Sequence, residues 1–184
     1  MALLTISLTG QARARSEYGQ RFEEEIALLF DAWRTGLLRY LLSSGLSIED
    51  GEEVVQEVFL ALFQHFVGDK PRGNLRGWAF RVAHNLGLKR RLAMSRRMEV
   101  SIHPDIETHI DSALNPEEQA AAAQRQTHLA SLGRALPEQD RCCLALRAEG
   151  LRYREIAEVL GMSLGSVSAS LARSLRRLAR GEKG

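Results

Sequence analysis

Pro71, Pro104, Pro116 and Pro137 are the only prolines, and each stands where a helical pattern begins or is missing. Between them apolar side chains recur every three or four positions, the spacing of a single buried helix stripe. Leu, Ala, Glu, Arg and Gln dominate these stretches, and runs of alternating β-branched residues are missing. This pattern predicts an all-α fold. At 184 residues the chain has room for one medium domain or two small ones.

From Phe22 to about Leu42 the stripe runs through Phe22, Ile26, Leu29, Phe30, Trp33, Leu37, Leu38 and Leu41, with Gly36 as a point where it can break. Ser47 is placed to cap a second helix, with Glu49 and Asp50 in the first turn where the helix dipole favours acids. That helix carries Val54, Val55, Val58, Phe59, Leu62 and Phe66. A Gly/Pro/Asn-rich loop follows to Asn74, then a helix to about Arg97 with Leu75, Trp78, Val82 and Leu86 as its stripe. Residues 98–114 lack helical periodicity, are acidic and contain Pro104. They predict a flexible linker between two small helical domains, residues 17–97 and 115–184. Asn115-Pro116-Glu117-Glu118 reads as a helix start, Leu136-Pro137-Glu138 as a restart, and Gly150 and Gly161 as punctuation before a last helix, Leu164 to Arg180.

Charge is distributed in blocks. The net charge is only +2, but residues 70–97 hold 9 bases and no acid, while residues 21–69 hold 10 acids and 3 bases. Blocks of opposite sign imply faces with different partners, and the basic one points to nucleic acid. The longest uncharged run, Val159 to Ala172, is too short and polar to span a bilayer. The N-terminal apolar stretch precedes the first positive charge, the reverse of a secretory signal. A cytoplasmic protein without membrane insertion is expected. Cys142 and Cys143 are adjacent in an apolar run and read as small core residues. Five scattered histidines show no ligand spacing, so no metal site and no cofactor are expected. No acid/base pair or phosphate loop stands out, so no catalytic residue is assigned.

The sharpest local pattern runs from Leu151 to Arg180. Ala157, Gly161 and Val167 are spaced as a helix-turn-helix requires: a small residue where helices cross, a glycine at the corner, an apolar anchor in the second helix. At 100° per residue, Leu164, Leu171, Ser174, Leu175 and Leu178 fall on the Val167 side. Ser166, Ala169, Arg173, Arg176, Arg177 and Arg180 fall on the opposite arc, with no acid from Ser163 to Arg180. Arginine forks suit phosphate and guanine edges, so this arc predicts a DNA-reading face.

Taken together, three motifs in order resemble the extracytoplasmic-function subfamily of bacterial RNA polymerase sigma factors. Residues 50–59 (DGEEVVQEVF) resemble the region-two signature, residues 74–85 (NLRGWAFRVAHN) the promoter-melting helix, and Leu136 through Arg180 region four. The resemblance implies a non-catalytic subunit that gives core polymerase its promoter specificity. It implies that Asp50, Glu53, Gln56 and Glu57 contact the β′ clamp, with the β flap as a second polymerase contact. It implies that the basic helix and its preceding loop hold the melted strand, through Lys70, Arg72, Asn74, Arg76, Arg81, His84, Asn85 and Arg91. In the helix-turn-helix, Ser166, Ser168, Ala169, Arg173, Arg176 and Arg177 would read the upstream element. An anti-sigma factor is a further implied partner, with the chain a monomer or a heterodimer with it. Trp78 reads as core rather than as a stacking platform. A stand-alone helix-turn-helix regulator is the competing reading.

Overall fold

A computed structural model describes residues 24–68, 70–95, 133 and 135–181. These form six helices, and no strand occurs among the described residues. They are α1 (24–43), α2 (Ile48–Val67), α3 (Leu75–Ser95), α4 (Glu138–Ala148), α5 (Tyr153–Leu160) and α6 (Leu164–Gly181). The all-α expectation holds. Phe22, the linker 98–114 and the helix start at Asn115 lie outside the described residues.

Gly36 does not break α1, which runs continuously and buries Leu37, Tyr40 and Leu41 completely. Gly45 has a positive φ of 101° and turns the chain into α2. The Ser47 hydroxyl caps α2 as expected, accepting from the Asp50 backbone N–H at 3.1 Å. All six apolar residues assigned to the α2 stripe are buried. α1 and α2 meet closely because Gly51 has no side chain: a Cβ there would lie 2.9 Å from Leu38. Phe30 and Phe59 close the same seam edge to face, with centroids 4.8 Å apart.

The stripe expected on α3 is corrected. Leu75, Trp78, Val82 and Leu86 are only half-buried, and the fully buried line is Gly77, Ala79, Phe80, Ala83 and Gly87. α3 packs against three helices, α1, α2 and α5. The small residues therefore take the closest approach, as at Gly87, where a Cβ would meet Leu41 at 3.0 Å. The large side chains fill the flanks.

In the C-terminal half, Gly150 and Gly161 take positive φ (86° and 64°) at the corners between α4, α5 and α6. Leu146, Ile156, Val167 and Leu171 form the centre of this trio, and both cysteines are buried among them as small core residues. Two residues expected to face inward on α6 do not: Leu164 is 48% exposed and Leu175 is 58% exposed. α4 docks on the side of Ser170 and Ser174, both fully buried, and leaves Leu175 beyond its reach. The two halves are packed together. Leu37, Tyr40, Phe80 and Ala83 share one continuous apolar cluster with Cys142, Leu146 and Ile156.

Candidate nucleic-acid interface

The acidic end of α2 is a ridge organised by one arginine of α3. Arg90 lies 2.5 Å from Glu53, 3.4 Å from Glu57 and 3.6 Å from Asp50. Glu53 and Glu57 remain largely exposed, and Gln56 stands beside them in solvent. With Leu86 and Met94 the ridge lines a groove between α2 and α3. The arrangement gives a row of oriented carboxylates around one cation, suited to docking a basic partner in a single register.

The loop before α3 is pinned by its own polar groups. His65 Nε2 lies 2.9 Å from the Pro71 carbonyl oxygen, and Lys70 is exposed. Arg72 sits over the Phe66 ring at 4.3 Å and pairs with Glu25 at 3.0 Å. Asn74 has a φ of 46°, and its Oδ1 accepts from the Gly77 backbone N–H at 3.1 Å. It is the N-terminal cap of α3, a role that the composition of the loop does not suggest. Trp78 is half-buried and tilted against His65, with centroids 4.9 Å apart.

The basic residues of α3 divide between two faces. Arg81 and Asn85 are exposed. Arg76 and Arg91 turn toward the C-terminal half, and His84 toward α1. Arg76 donates to the Glu149 carbonyl, Arg91 pairs with Glu138 at 2.5 Å, and the Tyr40 hydroxyl lies 2.7 Å from His84 Nδ1. Burial holds the His84 pKa below the ordinary imidazole value. From the other side, Arg141 donates to the Ser43 carbonyl at 2.6 Å. With Arg72 and Asn74 of the preceding loop, five of the eight strand-holding candidates are thus engaged by their own chain. Arg39 and Glu149 carry this contact, and neither stands out in the sequence. The one available signal is a glycine, Gly36, inside an otherwise strong helical stripe.

On α6 the predicted arc is open. Ser166, Ser168, Ala169, Arg176 and Arg177 are exposed, and Ser163 caps the helix by accepting from Ser166 N–H at 3.1 Å. Arg173 differs from its neighbours. Its guanidinium grips Asp140 at two points, 2.8 and 3.2 Å, and Ser170 donates to the same carboxylate at 2.6 Å. Asp140 is 2% exposed, and these donors hold its carboxyl below the usual aspartate range, Arg173 first. Arg173 therefore ties α6 to α4.

Asp140→Ala strips the buried Ser170 hydroxyl of its acceptor, which costs about 1–3 kcal/mol. The lowered carboxyl pKa means that Asp140 stabilises the fold at neutral pH. That contribution is lost as pH falls below the ordinary aspartate value of 3.8 through the lowered one. The melting-temperature gap between wild type and Asp140→Ala should therefore narrow on acidification. A gap constant down to about pH 3 would contradict the assignment.

Among the described residues no cluster of His, Cys, Asp or Glu is arranged to hold a metal ion, and no helix is long and apolar enough to cross a membrane.

Residues 29–97 match the family model for Sigma-70 region 2, and residues 129–178 match that for Sigma-70, region 4. The chain is 32% identical over 131 residues to the ECF RNA polymerase sigma factor ShbA of Streptomyces griseus, covering 69% of each protein. It is 29% identical over 172 residues to the ECF RNA polymerase sigma factor RpoE of Cereibacter sphaeroides, covering 91% of each. Among solved structures it is similar to the sigma factor RpoE of Bartonella quintana in complex with the anti-sigma factor NepR. The TM-score is 0.69 at 19% identity, over 89% of this chain and 98% of that one, which speaks for the fold.

Proposed function

The chain belongs to the extracytoplasmic-function subfamily of sigma-70 RNA polymerase sigma factors, and from that premise we propose how its surfaces divide promoter recognition. It directs core polymerase to promoters and assists strand opening at initiation. Region 2, residues 17–97, docks on the polymerase β′ clamp through Asp50, Glu53, Gln56 and Glu57. Its basic side, with Arg81 and Asn85 outermost, receives the minus-ten element. Region 4, residues 115–184, reads the minus-thirty-five element through Ser166, Ser168, Ala169, Arg176 and Arg177, and meets the β flap. The chain carries no catalytic step of its own and works in the cytoplasm beside polymerase. An anti-sigma factor holds it inactive as a heterodimer; its Bartonella structural relative was crystallised in complex with an anti-sigma factor.

The observation that carries this reading is the coexistence of two exposed surfaces of opposite charge on one chain: the acidic ridge of α2 and the arginine arc of α6. A stand-alone regulator needs only the second. Run-off transcription with reconstituted core polymerase on a random promoter library tests the reading. Specific transcripts support it, and DNA binding without core capture supports the stand-alone regulator instead.

Arg176→Ala and Arg177→Ala separate base readers from phosphate holders. Removing a base reader should cost about 1–3 kcal/mol and relax one promoter position, whereas removing a phosphate holder weakens binding to all sequences and flattens the salt slope by about one unit. Binding to upstream-element duplex at two salt concentrations distinguishes them. Wild-type behaviour of both variants would contradict the arc.

A further inference from the structure

Glu149 caps the C-terminus of α4, yet its side chain is only 9% exposed, unusual for a carboxylate. It reaches α1, 110 positions earlier in the chain. Arg39 grips it at two points, Nε at 2.9 Å and Nη2 at 3.0 Å, the fork that fits a carboxylate or a phosphate equally. Arg76 of α3 holds the backbone carbonyl of the same residue. The seat exists because position 36 lacks a side chain. A Cβ on Gly36 would stand 2.5 Å from Glu149 Oε2, while its next neighbour outside Glu149, Phe80 Cζ, is at an ordinary 3.8 Å. Gly36 is helical, so no turn requires the glycine. The gap serves the contact with Glu149. Glu138 repeats the theme by pairing with Arg91 farther along α3.

We propose that Gly36, Arg39 and Arg76 form an anion seat that Glu149 fills as an internal ligand, closing the chain over the basic face of α3. A phosphate of the melted promoter strand takes the same seat when the halves part. This rests on the promoter reading above and adds residues and a gate to it. The strand must displace a carboxylate that copies its own charge and geometry, so its apparent affinity is lowered by the fraction of chains that are open. The acidic ridge of α2 and the arc of α6 stay exposed in the closed form. The gate therefore acts on single strands and not on duplex.

Glu149→Ala tests this in the full chain. It removes the internal carboxylate and leaves the gap at Gly36 and the Arg39 fork free to take a phosphate. Glu149→Lys, which sets a like charge against Arg39, opens the same contact by a second route. Small-angle scattering should show both variants more expanded than wild type. A fluorescent oligo(dT) should bind about tenfold tighter to each, and upstream-element duplex should bind as to wild type. Adding Arg39→Ala to Glu149→Ala should abolish the gain and lower the salt slope by about 0.7, the value for one phosphate on a single strand. Wild-type compactness in both variants overturns the proposal. So does expansion with unchanged oligo(dT) affinity, or a gain that survives Arg39→Ala. Capture of core polymerase by wild type is scored separately, and failure there overturns the promoter reading while the oligonucleotide results still judge the seat.

Discussion

A chain carrying Glu53→Lys and Glu57→Lys is expected to fold and to lose at least about a hundredfold in affinity for core polymerase. Like charges brought together across an interface cost several kcal/mol, and every 1.4 kcal/mol or so is tenfold. The fold survives because both glutamates are largely exposed and their pairs with Arg90 lie at the surface. Exposed pairs contribute about 0.2–1 kcal/mol each. Arg90 sharpens the test. In the double variant it faces two ammonium groups and swings away from the ridge, so the docking register is lost along with the charge. Glu53→Gln with Glu57→Gln removes the attraction without adding repulsion and should bind at an intermediate level. Helical circular dichroism and a pull-down on immobilised core enzyme measure the two halves of the claim. A folded double-lysine variant that captures core like wild type would remove the ridge from the interface.

Phe80→Ala is expected to cost about 3–5 kcal/mol of stability, the range for emptying a large aromatic site in a core. Phe80 is 1% exposed and stands where α1, α3 and the C-terminal half meet. Its ring packs edge to face on Tyr40 with centroids 5.9 Å apart, and Arg76 lies over it at 5.8 Å. Its buried neighbours on α3 are glycine and alanine, which have no side chain to swing into the hole. Collapse is therefore limited and the cost stays near the top of the range. Phe63→Ala on α2 provides the contrast. That ring is 37% exposed, so its loss should be much smaller. Urea unfolding of the three proteins measures both. Equal midpoints for Phe80→Ala and Phe63→Ala would mean that Phe80 is not the joint between the halves.

Much of the fold is legible in the sequence because it depends on neighbours in the chain. The cap at Ser47, the left-handed corners at Gly150 and Gly161, and the buried face of α2 each follow from a few adjacent residues, and the structure places them as expected. α3 misleads because a single stripe assumes a single neighbour. With α1, α2 and α5 all packed on it, its true core line consists mainly of small residues, which carry almost no hydropathy signal. Asn74 has a second role that is legible in the sequence. Its role as a cap is available in the spacing to Gly77, whereas the family resemblance points only to the melted strand.

The all-α class, the order of motifs that marks a sigma factor, and the residue types at each surface are all written in the chain. Periodicity, capping and charge blocks are properties of short stretches, and they survive whatever the rest of the chain does. Which charges are available depends on helix packing. Arg173 and Arg177 lie on one arc of one helix, yet Asp140, buried 33 positions before Arg173, claims the first and leaves the second in solvent. Arg76 and Arg81 lie on one helix, yet Glu149 engages the first alone. An ion pair depends on distances of a few ångström between segments far apart in the chain, and those distances are set by how the helices pack.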